Sequence, residues 1–195
     1  MKDYILGSHN SWSYLKPQKW WLRPFAFMAK CQSVDIKKQY EKYGVRCFDL
    51  RILHDSKGDF YIAHGFMKYD YGYQELMWDL QWLDNKGDCY VRVLNEARRN
   101  SQYTEANKAL FVSFCDTATN KFPNIKWWCG RNLYNWEFDY NFPLEPSCCE
   151  RYASVTRPRL IDDWWPWLYA RVHNREIRAV GTTDNILLID YVNIP

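Results

Sequence analysis

The sequence has no long apolar run, no glycine-rich phosphate loop and no segment typical of a signal peptide. No stretch of the 195 residues approaches the roughly 18 consecutive apolar residues that a membrane-spanning helix needs. Residues 1–8 are predicted to be a short strand-like stretch and not a leader. Neither a GxGxxG motif nor a Walker loop is present, so the sequence gives no support for a nucleotide-binding fold.

Paired cysteine motifs and a strong charge imbalance are also missing. The seven cysteines are odd in number and form no CxxC pair, which favours reduced, buried thiols over a disulfide framework. With 26 basic and 23 acidic residues, the net charge is +3, which is too small to indicate a nucleic-acid partner. We therefore expect no nucleic acid as partner. The sequence as it stands predicts a cytoplasmic protein, and secretion is the alternative if a signal segment has been trimmed.

Hydrophobic residues make up 47% of the chain and aromatic residues 18%, a composition that excludes intrinsic disorder. No linker, low-complexity tract or internal repeat divides the sequence, so residues 1–195 are predicted to form a single domain. Tryptophan occurs in pairs at 20–21, 127–128 and 164–165. Packing inside the domain is the favoured interpretation of these pairs. Contact with a membrane surface is the alternative, mainly for Trp20–Trp21 beside Lys16, Lys19 and Arg23.

Strand and helix patterns alternate along the chain with short connections. The patterns predict strands at 4–6, 45–51, 60–63, 89–94, 125–129 and 186–191, and helices at 36–43, 73–83, 104–118 and 163–172, the last capped by Asp163. Such alternation predicts an α/β fold with a mainly parallel sheet, either open and doubly wound or closed. We favour a small, trimmed or irregular TIM-type (β/α) barrel whose first and last strands pair.

Polar residues lie at the carboxyl ends of the predicted strands, where a barrel of this type places its site. They are His9 and Asn10, Asp49 and Arg51, His64, Arg92 and Glu96, Arg131, and Asp190. Two histidines beside an arginine have a direct chemical meaning. Cleavage of a phosphodiester needs a base for the attacking oxygen, an acid for the leaving oxygen and positive charge on the phosphate. His54 and His173 have no comparable neighbours and are predicted to be surface histidines.

Three stretches resemble the phosphatidylinositol-specific phospholipase C-like phosphodiesterases in their catalytic X-domain form. They are GSHNS at 7–11, CQSVDIKKQYEKYGVRCFDLRI at 31–52 and AHG at 63–65, with a weaker match in LLIDYVN at 187–193. The spacing from Arg51 to His64 is similar to that of the bacterial, metal-independent members. Between about 68 and 185 only the alternation of strands and helices resembles the family, which is a fold-level analogy.

The resemblance implies a role for each matched residue. It implies that His9 is the general base for the inositol 2-hydroxyl and His64 the general acid for the diacylglycerol leaving group. Arg51 would hold the phosphate, Asp49 would position this cluster, and Asp190 would orient His9 and stabilise its imidazolium. The implied reaction of this lyase or phosphoric diester hydrolase forms a cyclic 1,2-phosphate, which is hydrolysed more slowly. The implied substrate is a phosphoinositide-type phospholipid or soluble glycerophosphoinositol.

The sequence departs from the family pattern at Asn10. Metal-independent bacterial members tend to have Asp after the first histidine, whereas Asn is typical of the calcium-dependent eukaryotic enzymes. Those enzymes, however, carry carboxylates at both positions matching Asp49 and Arg51, and Arg51 puts a fixed positive charge where a cation would bind. We therefore expect no cofactor and no metal. Calcium bound by Asn10, Asp49 and Glu96 is the alternative.

Other interpretations stay open at this point. The structural alternative for Asp49 and Arg51 is an ordinary ion pair at a strand end. For Arg92 and Glu96 it is an ion pair inside the barrel. The functional alternative for Asn10, Arg92, Glu96 and Arg131 is contact with the substrate headgroup. The enzyme would then cleave either a phosphoinositide or another lipid or glycerophosphodiester headgroup. A catalytically inactive phospholipid-binding module is the alternative from a different class.

Overall fold

The computed structural model describes residues 4–99, 103–129, 139–144, 146–151, 165–182 and 184–195. Strands and helices alternate along these residues. The strands are β1 (Ile5–Ser8), β2 (Cys47–His54), β3 (Phe60–His64), β4 (Met67–Lys68), β5 (Tyr90–Asn95), β6 (Lys126–Trp128), β7 (Cys148–Arg151) and β8 (Ile186–Ile189). The α-helices are α1 (Ile36–Tyr43), α2 (Tyr73–Asp84), α3 (Glu105–Lys121) and α4 (Pro166–Val180), and 3-10 helices span Trp20–Met28 and Glu96–Arg99.

Local sequence explains where α1 begins and ends. The Asp35 carboxylate accepts a hydrogen bond of 2.9 Å from the Lys38 amide and so caps the first turn. Gly44 ends the helix with φ of 71°, a left-handed conformation that favours glycine. The predicted stop at Gly44 is therefore confirmed.

Other element boundaries differ from those predicted. The strand pattern gave no indication of β4 or β7, because β4 has two residues and β7 lacks an apolar alternation. The helix predicted at 163–172 begins at Pro166 and continues to Val180, since proline is well suited to the first helical turn. The proposed cap, Asp163, lies outside the described residues.

Six strands form the parallel part of the sheet. Their order is β6-β5-β2-β1-β8-β7. The predicted pairing of the first and last strands is confirmed, because β1 and β8 are in register from Ile5 opposite Ile186 to Ser8 opposite Ile189. The hairpin of β3 and β4 is antiparallel and extends from the end of β2, where Ile52 lies opposite Ile62.

The α/β class is confirmed, but the predicted closure into a barrel is not. Within the described residues, β6 pairs with β5 and β7 pairs with β8, and no ladder joins β6 to β7. Closure needs hydrogen bonds between the two edge strands, and these strands have only three and four residues. The sheet is therefore open on this side.

Alternation along the strands gives the sheet an outer and an inner face. Outer residues such as Phe48, Leu50, Val91 and Leu187 belong to one large cluster with α2 and α3 side chains. Inner residues form a second cluster of Cys47, Trp128, Ile186 and Leu188; Cys47 and Ile186 begin β2 and β8, and Trp128 lies opposite Arg92 at the end of β6. Towards the carboxyl ends the inner positions become charged, and this is where the candidate site lies.

The cysteines agree with the prediction of reduced, mostly buried thiols. Six of them have described side chains, of which five are buried and Cys148 is partly buried. Cys149 is not among the described side chains. No helix in the described parts of the chain is long and apolar enough to cross a membrane.

Candidate active site

His9 follows the end of β1 and is nearly fully buried, with 2% of its surface exposed. Its backbone amide donates to the Ile189 carbonyl at 2.9 Å, which continues the pairing of β1 with β8. The ring is held at both nitrogens. Nδ1 lies 2.7 Å from Asp190 Oδ1, and Nε2 lies 2.8 Å from Arg51 Nη2. Because arginine can only donate, Nε2 accepts from it and Nδ1–H donates to the carboxylate.

Asp49 and Arg51 are two residues apart on β2, so both side chains lie on its inner face. Asp49 Oδ2 accepts from Arg51 Nε at 3.0 Å and from the Asn10 backbone amide at 2.9 Å. Burial alone would raise the pKa of Asp49, but the Arg51 and Arg92 guanidiniums hold the pKa below its usual value. Asp49 is therefore a carboxylate that fixes both the turn after β1 and the Arg51 guanidinium.

His64 ends β3 and lies across the site from His9. The centroids of the two imidazoles are 5.7 Å apart and their planes are nearly perpendicular. His64 Nδ1 lies 3.0 Å from the Ala29 carbonyl oxygen, to which its N–H donates. This bond sets the ring orientation, because it assigns Nδ1 as the donor to the protein and Nε2 as the nitrogen for other chemistry.

Glu96 and Arg92 lie on the β5 side of the site, and both are fully buried. Glu96 Oε1 accepts a 2.6 Å hydrogen bond from the Gly65 amide, which ties the turn after His64 to β5. Glu96 Oε2 lies 3.8 Å from Arg51 Nη1. Arg92 Nη1 lies 3.9 Å from Asp49 Oδ1, and its guanidinium lies 5.5 Å from the centre of the Trp128 ring.

Two residues beside the histidine–aspartate pair adopt left-handed backbone conformations. Asn10 has φ of 44° and Tyr191 has φ of 45°. Asparagine tolerates this region well, whereas it is a strained conformation for tyrosine. Both residues directly follow members of the pair, His9 and Asp190. This turn geometry gives Asn10 a conformational role, independent of any contact with a substrate.

The structure brings together most of the site residues that were predicted from sequence. The residues in this cluster are His9, Asn10, Asp49, Arg51, His64, Arg92, Glu96 and Asp190. Arg131 lies outside the described residues. The prediction that His54 is a surface residue is wrong, because it is 8% exposed and contacts the Phe60 ring.

Sequence reasoning missed the segment that follows the first 3-10 helix. The Ala29 carbonyl orients His64, and Cys31 Sγ lies 3.9 Å from His64 Nδ1. Gln32 Nε2 donates to the carbonyls of His9 and Ile189 and so joins the ends of β1 and β8. Cys31 and Gln32 begin the longest stretch that resembles the phospholipase family, so the resemblance itself was the available indication.

The residues proposed as calcium ligands surround a guanidinium. Calcium takes six to eight oxygen ligands. Asp49 Oδ2 and Glu96 Oε1 already accept backbone or guanidinium hydrogen bonds, whereas Asn10 Oδ1 and Asp49 Oδ1 accept none from the described residues. The Arg51 guanidinium lies between the two carboxylates, where a dication would meet a fixed positive charge. We derive no chemical step that uses calcium.

Exposed aromatic side chains of the first 3-10 helix and of the start of α4 are here called the aromatic rim. Its members and their exposed fractions are Trp20 71%, Trp21 52%, Phe25 51%, Phe27 38%, Trp165 44% and Trp167 41%. The Phe27 and Trp165 rings lie 5.1 Å apart and join the 3-10 helix to α4. The chain runs from this 3-10 helix directly to Ala29, the partner of His64. The expectation of packing inside the domain is confirmed for Trp127 and Trp128, which are buried, whereas Trp20, Trp21 and Trp165 are exposed; Trp164 lies outside the described residues.

Comparison with known proteins gives a structural likeness only. No family model matches the sequence, and no curated protein matches it. Among solved structures, the phosphatidylinositol-specific phospholipase C from Listeria monocytogenes aligns with a TM-score of 0.61 and 13% identity, covering 96% of this chain and 87% of that one. A variant of the Staphylococcus aureus enzyme gives a TM-score of 0.59 and 14% identity, covering 96% and 84%.

These alignments span nearly the whole chain. They include the region between about 68 and 185, where only the alternation of strands and helices resembles the family. At 13–14% identity they establish the architecture, and the chemistry has to be argued from the side chains. The resemblance to the phosphatidylinositol-specific phospholipases C is therefore confirmed at the level of the fold: this chain has the α/β fold of the bacterial enzymes.

Proposed function

We propose that the chain is a phospholipase C-like phosphoric diester hydrolase that cleaves a phosphoinositide-type diester by acid–base catalysis with His9 and His64. The observation that carries the proposal is the arrangement of the two imidazoles. Their centroids lie 5.7 Å apart, and the Arg51 guanidinium contacts His9. Such an arrangement supplies a base, an acid and a positive charge to one phosphodiester.

His9 is the proposed general base. With Nδ1–H directed at Asp190, its basic nitrogen is Nε2, which accepts a hydrogen bond from Arg51 Nη2. A phosphate attracts the guanidinium, and the substrate hydroxyl then takes its place at Nε2. The nearby Asp190 carboxylate stabilises the imidazolium that forms when His9 takes the proton.

His64 is the proposed general acid. The inositol 2-hydroxyl oxygen attacks phosphorus, the bond from phosphorus to the diacylglycerol oxygen breaks, and His64 gives that oxygen a proton. His64 starts the reaction as an imidazolium whose Nδ1–H is held by the Ala29 carbonyl, so the transferred proton is the one on Nε2. The products are a cyclic 1,2-phosphate and diacylglycerol. The cyclic phosphate is hydrolysed more slowly to the monoester.

Arg51 is proposed to stabilise the charge that develops on the phosphate. A planar guanidinium binds two phosphate oxygens at once, and Asp49 orients it through the 3.0 Å bond to Nε. Since this fixed charge performs the role of a cation, the proposed reaction needs no metal. Asn10, Glu96, Arg92 and Arg131 remain proposed contacts for the headgroup.

The aromatic rim supports a substrate that is presented by a membrane surface. Tryptophan is favoured at lipid interfaces, and Trp20 and Trp21 are the most exposed members of the rim. Lys16, Lys19 and Arg23 are exposed on the same segment and would face anionic headgroups. We propose transient contact of this surface with the bilayer, while soluble glycerophosphoinositol would reach the site without it.

Phosphorus NMR of the protein with phosphatidylinositol in EDTA tests the proposal. The expected result is a cyclic phosphate signal in EDTA that calcium does not increase. His9→Ala is expected to lower the rate at least about 100-fold. Dependence on added calcium would overturn the metal-independent mechanism.

A matched control separates loss of chemistry from loss of fold. His173→Ala removes a histidine from α4 and is expected to leave the rate unchanged, since His173 contacts Tyr169 and lies outside the proposed site. If neither phosphatidylinositol nor glycerophosphoinositol is cleaved under any condition, the proposal fails. The phosphate pocket would then belong to a diesterase for another headgroup or to a binding module.

A further inference from the structure

Cys31 has no role in the proposed reaction, yet it lies between the two histidines that do. One ligand atom from each of His9, Cys31 and His64 lies within 4.8 Å of the others. Cys31 Sγ lies 3.9 Å from His64 Nδ1 and 3.8 Å from the Ala29 carbonyl oxygen, to which its S–H donates. One sulfur and two imidazole nitrogens are a typical ligand set for zinc and related ions.

The backbone on both sides holds Cys31 in this position. Its amide donates to Ser13 Oγ at 2.9 Å, and its carbonyl accepts from the Tyr191 amide at 2.6 Å. Cys31 itself is 1% exposed. The sulfur is therefore held by the same turns that place His9 and Asp190.

The spacing is close to that of a tetrahedral site. Zinc–sulfur and zinc–nitrogen bonds of roughly 2.3 and 2.0 Å imply ligand atoms about 3.5 Å apart. The three ligand atoms lie within 4.8 Å, so side-chain adjustments of about 1 Å suffice. His64 is only partly buried and is the ligand with most room to move.

A dication bound at His9 Nε2 takes the place of Arg51 Nη2, and the charges around the cluster balance it when a thiolate forms. Asp49, Asp190 and Glu96 contribute three negative charges against the two positive charges of Arg51 and Arg92. A thiolate adds one negative charge, and a divalent ion then balances the set. The proton released by the Cys31 thiol goes to solvent as the metal–sulfur bond forms.

We propose that His9, Cys31 and His64 form a binding site for a zinc-class divalent ion, which inactivates the site by occupying its two histidines. This site is distinct from the oxygen cluster considered for calcium, because its ligands are sulfur and nitrogen. Metal binding stands on the geometry alone, and only the effect on turnover rests on the proposed function. An ion of this class would act as a reversible inhibitor and not as a cofactor.

Titration with Co²⁺ tests binding without any assay of turnover. The expected result is one Co²⁺ per chain with a thiolate-to-cobalt charge-transfer band and a visible spectrum of tetrahedral type. Cys31→Ala is expected to abolish the charge-transfer band. The loss of Zn²⁺ affinity should exceed the roughly 10- to 100-fold that removal of an outer-shell partner causes.

Two further variants keep the test decisive if Cys31→Ala folds poorly. Cys115→Ala removes another buried thiol, on α3, and should bind Co²⁺ as the wild type does. His64→Ala removes a ligand from a partly exposed position and should weaken binding while keeping the charge-transfer band. No charge-transfer band in the wild type, or an unchanged band in Cys31→Ala, would overturn the proposal.

Turnover supplies a separate measurement. Zn²⁺ is expected to inhibit the wild type and Cys115→Ala, and EDTA is expected to restore both. For each variant the rate in Zn²⁺ is compared with its own rate in EDTA, and Cys31→Ala should show the smaller inhibition. Equal inhibition of Cys31→Ala would contradict a role for the thiol. Co²⁺ binding in a protein without diesterase activity would support the metal site and refute only the proposed function.

Discussion

The two ends of the inner face of the sheet are built from the same strands in contrasting ways. Near the amino ends of β2 and β8, the inner residues Cys47, Ile186 and Leu188 are apolar and cluster with Trp128 of β6. Further along, the inner positions of β2 and β5 are Asp49, Arg51 and Arg92, and Asp190 follows β8. The period of two along a strand means that both sets lie on one face.

Residues that stabilise the fold and residues proposed to act in the reaction therefore lie at different positions along the strands. Apolar burial at the amino end stabilises the fold, whereas buried charges are weak evidence for stability because their desolvation offsets their attraction. A cluster of several charges at or below 2% exposure is better explained by a task that needs an anhydrous, oriented site. Substitutions at the two ends should therefore change different measured quantities.

The largest effect is expected from Arg51→Lys. Lysine keeps the positive charge but loses the planar pair of donors and the bond to Asp49. We expect turnover to fall roughly 100- to 1,000-fold, the loss typical for one group that stabilises transition-state charge. Steady-state kinetics in EDTA would measure it. A change of less than tenfold would contradict the assignment of Arg51.

At the apolar end, Ile186→Ala is expected to act on stability instead. Ile186 is fully buried in the inner cluster, so truncation leaves a cavity that should destabilise the chain by about 2–5 kcal/mol. Urea unfolding would measure this loss. Turnover per folded molecule should stay unchanged. A loss of turnover without a loss of stability would contradict the conclusion that the apolar end only stabilises the fold.

The charged end also predicts how stability depends on pH. Because the pKa of Asp49 is lowered in the folded chain, the carboxylate stabilises the fold above its unfolded pKa of about 3.9 and loses this effect as pH falls through the folded value. We expect Asp49→Asn to be less stable than the wild type by on the order of 2 kcal/mol at pH 7. Urea unfolding should show this difference shrinking below about pH 4. A constant difference would contradict the ion pairing.

The smallest effect on folding is expected at the aromatic rim. Replacing Trp20 and Trp21 together by alanine should change the free energy of unfolding by less than about 0.5 kcal/mol, since both are exposed. Affinity for phosphatidylinositol vesicles, measured by sedimentation, should fall at least about tenfold. Trp78→Ala is the matched control, because Trp78 is 64% exposed on α2. Equal losses in both variants would contradict a specific lipid contact.

Much of the fold could be predicted from sequence because it depends on local patterns. Alternation and branched side chains indicated β2, β5 and β8, and the helical pattern at 73–83 indicated α2. The short strands β4 and β7 could not be predicted, because two to four residues carry too little periodicity. Barrel closure was also not predictable, since it depends on pairing between distant edges and not on any one strand.

The candidate site was predictable where its residues end strands. His9 follows β1 and His64 ends β3, while Asp49 and Arg51 lie within β2 beside the turn after β1; the family resemblance supplied roles for all four. The contribution of Ala29 and Cys31 was not predictable, because it comes from an irregular segment whose path follows from tertiary packing. A carbonyl group carries no sequence signature, so the partner of His64 emerges only from the structure.

The most direct test of the proposed acid–base pair compares two soluble inositol phosphodiesters with different leaving groups. Glycerophosphoinositol releases an alkoxide that needs an acid, whereas a nitrophenyl ester releases a phenolate that does not. On the glycerol ester, His64→Ala should lose at least about 100-fold in turnover, and on the nitrophenyl ester less than about tenfold. His9→Ala should lose about the same factor on both. Equal losses of His64→Ala on the two substrates would contradict its assignment as the general acid.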